Sequence, residues 1–349
     1  MRKIYYALLL TTISYSLLAQ DPYFSQYNFA AQQTSPAMTG LFEGDLRATV
    51  NFREQWTGLT DTRAYRTLAA GIDIRKPFLK RDYMSFGVNV LRDEAQGTSL
   101  VEQQAVLSYA YAKHLGGNPR RRTAQYLIVA AQGGIGQRNL ERGNLWFSNQ
   151  YDADSGTIDD SIDANENINA GRSDLYANAN AGLMWYAVYA RNRSLYLGGS
   201  IHHLTRPNVS LYEETTQTLP LRYSIQVGGE LPLSRNLSLL PSLFSLHQGK
   251  AMTVIGGGSF RYNSRDFKEV ALRMGLWGQV GNRLDSGLGL SALIVGAALE
   301  MTNVQFGLSY DITTSSIAQL NGGRGAFELS VTYIKASRGR RVPVSCPKF

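Results

Sequence analysis

One stretch of the chain concentrates carboxylates in a segment with no regular hydrophobic pattern. Ca²⁺ prefers oxygen ligands, and Asp152, Asp154 and Asp163 match positions 1, 3 and 12 of a calcium-binding loop. The match is poor, because Gly156 comes one place early and the last ligand is Asp rather than Glu. A solvated acidic loop, which could also meet a protein partner, is therefore the favoured interpretation, with calcium as the weaker alternative. The candidate residues of this acidic loop are Asp152, Asp154, Asp159, Asp160 and Asp163.

A second set of charged residues lies in stretches where apolar and polar residues alternate, which places these charges on the polar face of a strand. If the strands close into a barrel, charges in the lumen are costly unless they are paired or wetted. They could be ion pairs that brace the lumen, or a path or surface for a partner, so we keep Arg47, Arg53 and Arg222 as candidate partner-binding residues. The whole set is Arg47, Arg53, Arg222, Glu230, Arg273, Asp311 and Glu328.

The histidines and the cysteine argue against catalysis. The chain holds four His and one Cys, which disfavours a zinc site. His202 and His203 are neighbours on a predicted strand, so we expect them to point to opposite faces and not to share a metal. A Ser-His-Asp hydrolase would need flanking signatures that His202, His203 and His247 lack. The sequence predicts no enzyme activity, no cofactor and no metal beyond the weak calcium alternative.

The elements that carry these residues are long strands. In Val304–Tyr310 and again in Phe327–Tyr333, every second residue is apolar. A period of two predicts strands with one apolar and one polar face. Each run lasts about ten residues, longer than the usual five or six of globular strands, whereas about 9–11 tilted residues span a bilayer. We interpret the pair as a transmembrane β-hairpin with its apolar face toward lipid.

Similar runs recur along the chain and predict an all-β transmembrane barrel of about fourteen antiparallel strands over residues 44–336. With an even strand count and both ends in the periplasm, connections after odd-numbered strands face outward and should be the longer ones. The longest predicted connections, 139–172, 207–218 and 315–324, follow this rule, and the short turn near Gly249 does not. A soluble β-sandwich is the alternative, disfavoured by the length of the runs.

The N-terminus predicts export. Residues 1–19 combine a basic start with an apolar core and end at Ala19, as in a cleaved secretory signal peptide. With one cysteine, Cys346, no internal disulfide is expected. An exported chain built of amphipathic strands points to the outer membrane. We expect residues 20–43 to form an ordered periplasmic or lumen-plugging segment and 337–349 a basic periplasmic tail. The formal charge of +8 comes with no nucleic-acid recognition motif.

Three N-terminal stretches resemble the opening of the PorP/SprF family, outer-membrane proteins of the type IX secretion and gliding systems of Bacteroidetes. They are Asp21–Tyr27, Ser35–Gly40 and Asn51–Trp56, and Ser35 stands where the family usually carries Asn, which bears on a local cap. Leu219–Tyr223, Leu308–Thr314 and Cys346–Phe349 also look like this family. The residues that carry the motif are Phe24, Ser25, Gln26, Tyr27, Pro36, Ala37, Gly40, Arg53, Gln55 and Trp56.

The resemblance implies a FadL-like barrel that works with the type IX translocon. Members related to SprF pair with secreted adhesins, bind the C-terminal sorting domain and help to export the adhesin and anchor it at the cell surface. Members related to PorP belong to the machinery, near its periplasmic and outer-membrane components. The alternative is a FadL-like transporter or pore for a small solute, although the mostly polar or small inward residues disfavour a fatty-acid path.

Overall fold

The computed structural model describes most of the chain between residues 20 and 337. The predicted signal peptide, 1–19, and residues 338–349 lie outside the described residues. The described ranges are 20–56, 65–95, 100–118, 123–140, 150–152, 155–159, 171–190, 192–211, 216–263, 270–282, 287–315, 318 and 323–337.

The described part of the chain begins at residue 20 with a segment that contains short helical turns, and it continues as long strands. The segment contains α1 (Ala31–Thr34) and a 3₁₀ helix (Pro36–Met38), and no helix among the described residues is long and apolar enough to cross a membrane. The strands are β1 Leu46–Gln55, β2 Tyr65–Phe78, β3 Asp82–Ala95, β4 Leu100–Gly116, β5 Ala124–Leu140, β6 Tyr151–Asp152, β7 Thr157–Ile158, β8 Tyr176–Ala190, β9 Arg193–His202, β10 Arg222–Pro232, β11 Leu237–Gln248, β12 Ala251–Asn263, β13 Ala271–Asn282, β14 Leu288–Glu300, β15 Val304–Thr313 and β16 Arg324–Lys335.

Fourteen of these strands form one closed antiparallel barrel, and β6 and β7 form a separate two-stranded hairpin. Neighbours in sequence are neighbours in the barrel, and β8 follows β5 across the hairpin. The seam closes between the first and last strands, where Leu46 pairs with Lys335 and Gln55 with Ala326. The predicted fold class and the predicted number of barrel strands are confirmed.

The alternation in sequence sets which side chains face the lumen. On β1, Arg47, Asn51 and Arg53 are buried, whereas Val50 between them is 48% exposed. The same period holds on β10, where Arg222 is buried and Tyr223 is exposed. Exposed apolar side chains cover the outer face of the other barrel strands as well, which is the pattern of a surface that meets lipid.

The two ends of the barrel differ. We call the end that carries the connections after β1, β5, β9 and β15 the loop end, and the end that carries Leu46 and Lys335 the turn end. The long predicted connections all lie at the loop end. The connection between Gln248 and Ala251 also lies there but is a tight turn, with Gly249 at φ 59°. The two strands end and begin where the sequence predicts, at Gln248 and Ala251. The rule that outward connections are the longer ones therefore does not hold at this turn.

The outward face gives a first testable prediction. Leu107, in the middle of β4, is 66% exposed, and Leu115, near the turn end of the same strand, is 52% exposed. A charged side chain is most costly at the bilayer midplane. We expect Leu107→Arg to lower the free energy of unfolding from phospholipid vesicles by about 2–4 kcal/mol and Leu115→Arg by about 0–1 kcal/mol. Equal effects of the two substitutions would contradict a lipid-facing surface.

Candidate functional site: the plugged lumen

Residues 20–43 lie inside the barrel, and we call this segment the plug. It begins at the loop end, where the backbone N–H of Asp21 donates to Gln248 Oε1 at 2.9 Å. It ends at the turn end, where the carbonyl oxygens of Met38 and Leu41 accept from Arg47 at 2.9 and 3.4 Å. The chain therefore passes down the whole lumen before β1 begins, and its start lies at the opposite end from Leu46.

The first of three charged contacts that hold the plug is the Arg53 clasp, formed by Arg53, Glu328, Asp311 and Ser25. The Arg53 guanidinium pairs with Glu328 and lies 3.0 Å from Asp311 Oδ2. It also donates to Ser25 Oγ at 2.8 Å, and that hydroxyl donates to Asp311 at 2.7 Å. All four residues are buried, and Glu328 has 0% exposure, so these charges depend on one another.

The plug completes the Arg53 clasp with its own backbone. The N–H groups of Ser25 and Gln26 donate to the two carboxylate oxygens of Glu328 at 2.6 and 2.8 Å. Arg53 and Glu328 are also register partners across the β1–β16 seam. The same carboxylate therefore binds the plug and faces the strand pair that closes the barrel.

The second contact is the Arg222 clasp, formed by Asp21, Arg222, His203 and Gln248 near the loop end. Arg222 Nη1 lies 3.1 Å from Asp21 Oδ2, and the His203 ring donates to the same oxygen. Gln248 Nε2 donates to Asp21 Oδ1 at 3.0 Å. Arg222 Nη2 also donates to the carbonyl oxygen of Gln33 at 3.1 Å, so the guanidinium binds two points of the plug.

The histidine pair is placed differently from what the sequence predicts. Both His202 and His203 are buried, with exposures of 3% and 2%, and do not point to opposite faces of a strand. The reason is local: β9 ends at His202, and His203 adopts φ 61° in the left-handed region. The turned backbone N–H of His203 donates to Asn180 Oδ1 at 3.0 Å. The strand period therefore stops applying at this position.

The third contact is the Arg47 clasp, formed by Arg47, Asp73 and Gly40 toward the turn end. Arg47 binds Asp73 in a bidentate manner at 2.9 and 2.7 Å, and Gly40 N donates to the same carboxylate at 2.7 Å. Gly40 has φ 76°, and a Cβ there would lie 1.8 Å from Ser85 Oγ. Glycine is thus required twice at this position, by the backbone conformation and by the close approach of β3.

Apolar and neutral polar contacts fill the space between the clasps. Tyr27 stacks on Phe244 with ring centroids 4.7 Å apart, and Phe24 packs in a cluster with Leu91. Ala37 and Met38 pack against inward side chains that include Met184. A small cavity of about 40 Å³ remains between the plug and β13–β15, lined by residues such as Phe29, Trp277 and Ile294.

Ser35, which stands where the family usually carries Asn, caps the 3₁₀ helix. Its side chain accepts a hydrogen bond from Ala37 N at 3.3 Å at the start of the 3₁₀ helix, with Pro36 at its first position. The preceding carbonyl oxygen, of Thr34, accepts from Ser224 Oγ at 3.2 Å and from Gln226 Nε2 at 3.4 Å. Wall residues of β10 thus bind the backbone of the plug where the helical turns leave acceptors available.

Most motif residues meet at the contact between the plug and the barrel wall. Phe24, Ser25, Gln26, Tyr27, Pro36, Ala37 and Gly40 belong to the plug, and Arg53 belongs to the wall. Gln55 supports Arg53 by accepting from its Nη2 at 3.2 Å. Trp56 lies at the loop end, where its backbone N–H donates to the carbonyl oxygen of Gly325. The sequence singled these residues out without indicating that they would meet in one place.

The candidate partner-binding residues fall into two groups. Arg47, Arg53 and Arg222 are buried and contact the plug, so they could reach a partner only if the plug moved. In the acidic loop, Asp159 is exposed and follows the β6–β7 hairpin at the loop end. Asp154, Asp160 and Asp163, and the side chain of Asp152, lie outside the described residues, which contain no cluster of three or more His, Cys, Asp or Glu side chains placed to hold a metal. Partner binding by either group stays a prediction.

The other inward charges form pairs or line the lumen near the turn end. Arg273 and Arg261 both pair with Glu300, at 2.6 and 2.7 Å, and Glu230 is buried. Asp73 and Gln248, which no sequence motif singles out, complete the Arg47 and Arg222 clasps. Alternation on β2 and β11 is a signal that turns both inward, but it does not say what they bind.

The chain matches the family model described as type IX secretion system membrane protein PorP/SprF over residues 16–333. A comparison with curated proteins returns no match.

Solved structures with a similar fold include three that are distant in sequence. A TodX deltaS2S3 mutant, a monoaromatic hydrocarbon channel, is 10% identical with a TM-score of 0.46, covering 88% of this chain and 94% of that one. The translocator domain of the autotransporter NalP from Neisseria meningitidis is 10% identical with a TM-score of 0.36, over 88% and 96%. CdiB from Acinetobacter baumannii is 12% identical with a TM-score of 0.43, over 83% of this chain and 60% of CdiB.

The Arg53 clasp gives a second prediction. Arg53→Ala leaves Glu328 and Asp311 buried without their cation, so we expect the free energy of unfolding to fall by about 3–5 kcal/mol. The control is Arg66→Ala, which removes a partly exposed pair with Glu54 and should cost about 0–1 kcal/mol.

A cysteine in the plug reports whether the segment loosens. Ala30 is 3% exposed, so Ala30→Cys in a Cys346→Ser background should resist a water-soluble maleimide. We expect rapid labelling once Arg53→Ala is added and continued protection with Arg66→Ala. Protection in the Arg53→Ala protein would show that the clasp does not hold the plug.

Proposed function

Because the chain belongs to the PorP/SprF family of type IX secretion system membrane proteins, we propose that it binds the C-terminal sorting domain of a secreted adhesin. In this role the barrel helps to export the adhesin and anchors it at the cell surface, as a binding component rather than an enzyme. The barrel fits the outer membrane, since its outer face is apolar and its strands are long enough to span it. Export would use a cleaved signal peptide over residues 1–19.

The observation that carries this proposal is the filled lumen. Three charged clasps hold residues 20–43 along the whole barrel, so a folded sorting domain has no path through it. Recognition would then take place at an end of the barrel. The loop end is the candidate, because it carries the long connections and the acidic loop, and outer-membrane barrels place their long loops on the extracellular side.

In this proposal, periplasmic components bind at the turn end of the barrel. The plug itself reaches that end only with its last residues, near Leu41 and Phe42, so most of the segment cannot contact periplasmic components. The last strand, β16, ends at the turn end, and the sequence after it, residues 337–349, carries Arg338, Arg340, Arg341 and Lys348. We infer that this tail, rather than the plug, meets the secretion machinery.

A FadL-like transporter remains the second candidate, and one observation favours it. The small cavity of about 40 Å³ beside Phe29, Trp277 and Ile294 offers an apolar surface inside the lumen. Apolar pockets with a few polar groups are the usual form of small-molecule sites. A solute passing this way would still have to displace the plug from its clasps.

Co-purification tests the adhesin partner. With an affinity tag at the C-terminus of the chromosomal copy, we expect membranes in mild detergent to yield a secreted protein with a C-terminal sorting domain near one to one. Replacing Asp152, Asp154, Asp159, Asp160 and Asp163 by Asn should lower its recovery, because the loop would lose its charge for the partner. Asp174→Asn, an exposed aspartate on the same connection, is the matched control and should leave recovery unchanged.

Other outcomes would redirect the proposal. Recovery of machinery components without an adhesin would favour a core-machinery role. A barrel recovered alone with bound solute or lipid in its lumen would favour the transporter. Unchanged recovery of the adhesin from the five-Asn protein would leave the partner but exclude the acidic loop as its contact.

The direction of the plug yields a separate prediction about topology. Gln20 is exposed at the loop end, beside the buried Asp21 of the Arg222 clasp. An epitope inserted between Ala19 and Gln20 should therefore be reached by antibody on intact cells, whereas an epitope after Phe349 should need permeabilised cells. Signal from the N-terminal epitope only after permeabilisation would show that the plug is inserted from the other side.

A further inference from the structure

The outer face of the barrel carries unpaired cations at the turn end. Lys76, Arg193 and Lys335 are exposed and point outward near this end of β2, β9 and β16. They continue the outward rows that contain Ile72, Leu195 and Tyr333. None of the three cations has an ion pair with a residue that the structure describes.

The neighbouring turns add to this positive charge. Lys80 and Arg81, between β2 and β3, and Arg235, between β10 and β11, are exposed. Lys113 also points outward and pairs with Asp82 at 3.0 Å. Most described carboxylates at this end, such as Asp73, Glu230 and Glu300, are buried, which leaves Glu43 and Asp45 as the more accessible ones. The turn end therefore has a cationic rim.

At the loop end, the outward-pointing arginines of β2 and β3 are paired with carboxylates. On its outer face, Arg66 pairs with Glu54 at 3.0 Å and Arg92 pairs with Glu94 at 2.6 Å. Each of these arginines has a carboxylate beside it on the same face. Outward charges are therefore compensated on β1–β3 at the loop end, whereas Lys76, Arg193 and Lys335 have no such partner among the described residues.

We propose that the cationic rim binds the phosphate groups of anionic phospholipids in the leaflet that surrounds the turn end. The direction of the side chains supports lipid over an acidic protein, because Lys76, Arg193 and Lys335 share a face with lipid-facing residues. From these positions the long side chains run along the apolar surface and bring their charges to the headgroup level. A periplasmic protein would instead meet cations that point along the barrel axis.

The rim also contains groups that suit the membrane interface. Phe78 and Tyr111 contact each other edge to face at 6.1 Å between ring centroids. The Tyr111 hydroxyl donates to Asp82, the same carboxylate that holds Lys113. Aromatic side chains with a polar tip are enriched where barrels cross from lipid to headgroups. This cluster places Lys113 at the depth of the other rim cations.

Native mass spectrometry of the detergent-solubilised mature protein tests the proposal, with phosphatidylglycerol and phosphatidylethanolamine as the added lipids. We expect a preference for phosphatidylglycerol in the natural protein. Since one cation near an anionic surface changes binding about fivefold, Lys76→Gln with Arg193→Gln and Lys335→Gln should weaken phosphatidylglycerol binding by at least about fivefold. The control, Arg66→Gln with Arg92→Gln at the loop end, should keep the preference.

Folding is monitored separately, by the shift in gel migration between unboiled and boiled samples, which all three proteins should show. An unchanged preference for phosphatidylglycerol in the triple variant would overturn the proposal. So would equal losses in the triple variant and the loop-end control, because the effect would then follow total charge. A triple variant that keeps its lipid preference but loses co-purifying periplasmic proteins would assign the rim to a protein partner instead.

Discussion

The buried ion pair between Arg53 and Glu328 is the interaction on which the rest of this structure depends. The two residues face each other across β1 and β16, the strands that close the barrel. Their pairing is completed only when the backbone N–H groups of Ser25 and Gln26 bind the Glu328 carboxylate. Closure of the sheet and binding of the plug therefore share one buried carboxylate. Neither is expected to be stable alone, because a buried charge that loses its partners is strongly destabilising.

The plug supplies polar partners for the buried charges of the barrel wall. Inward positions carry Arg47, Arg53, Arg222, Asp73 and Glu328, and such groups must be paired or wetted inside a barrel. Several of them pair with each other, but each clasp also includes a group from residues 20–43. The plug thus supplies the Asp21 carboxylate to Arg222, backbone N–H groups to Glu328 and Asp73, and carbonyl oxygens to Arg47. A lumen rich in charge and a peptide that fills it are two parts of one arrangement.

The sequence predicted the barrel well because the relevant signal is local. Alternation over about ten residues identifies a strand and its faces, so Arg53, Asp311 and Glu328 could be placed inward without a structure. The clasps could not be predicted in this way, because they join residues that are far apart in sequence. Ser25 and Glu328 are 303 residues apart, and no local pattern indicates that they pair. His203 shows a further limit, since its left-handed backbone ends the strand period at a residue whose type does not announce it.

The path of the plug restricts the order in which this molecule can be assembled. Residue 20 lies at the loop end and Leu46 at the turn end, so the segment must lie inside the sheet when β1 meets β16. Threading it through a finished barrel would carry Asp21 past several buried ion pairs. Docking against the open sheet avoids that cost, and the Arg53 clasp lies at the seam where closure ends. The motif residues of the plug and wall therefore couple closure of the barrel to docking of the plug. Because these residues are buried inside the barrel, partners and lipid would contact its outer surface and its two ends.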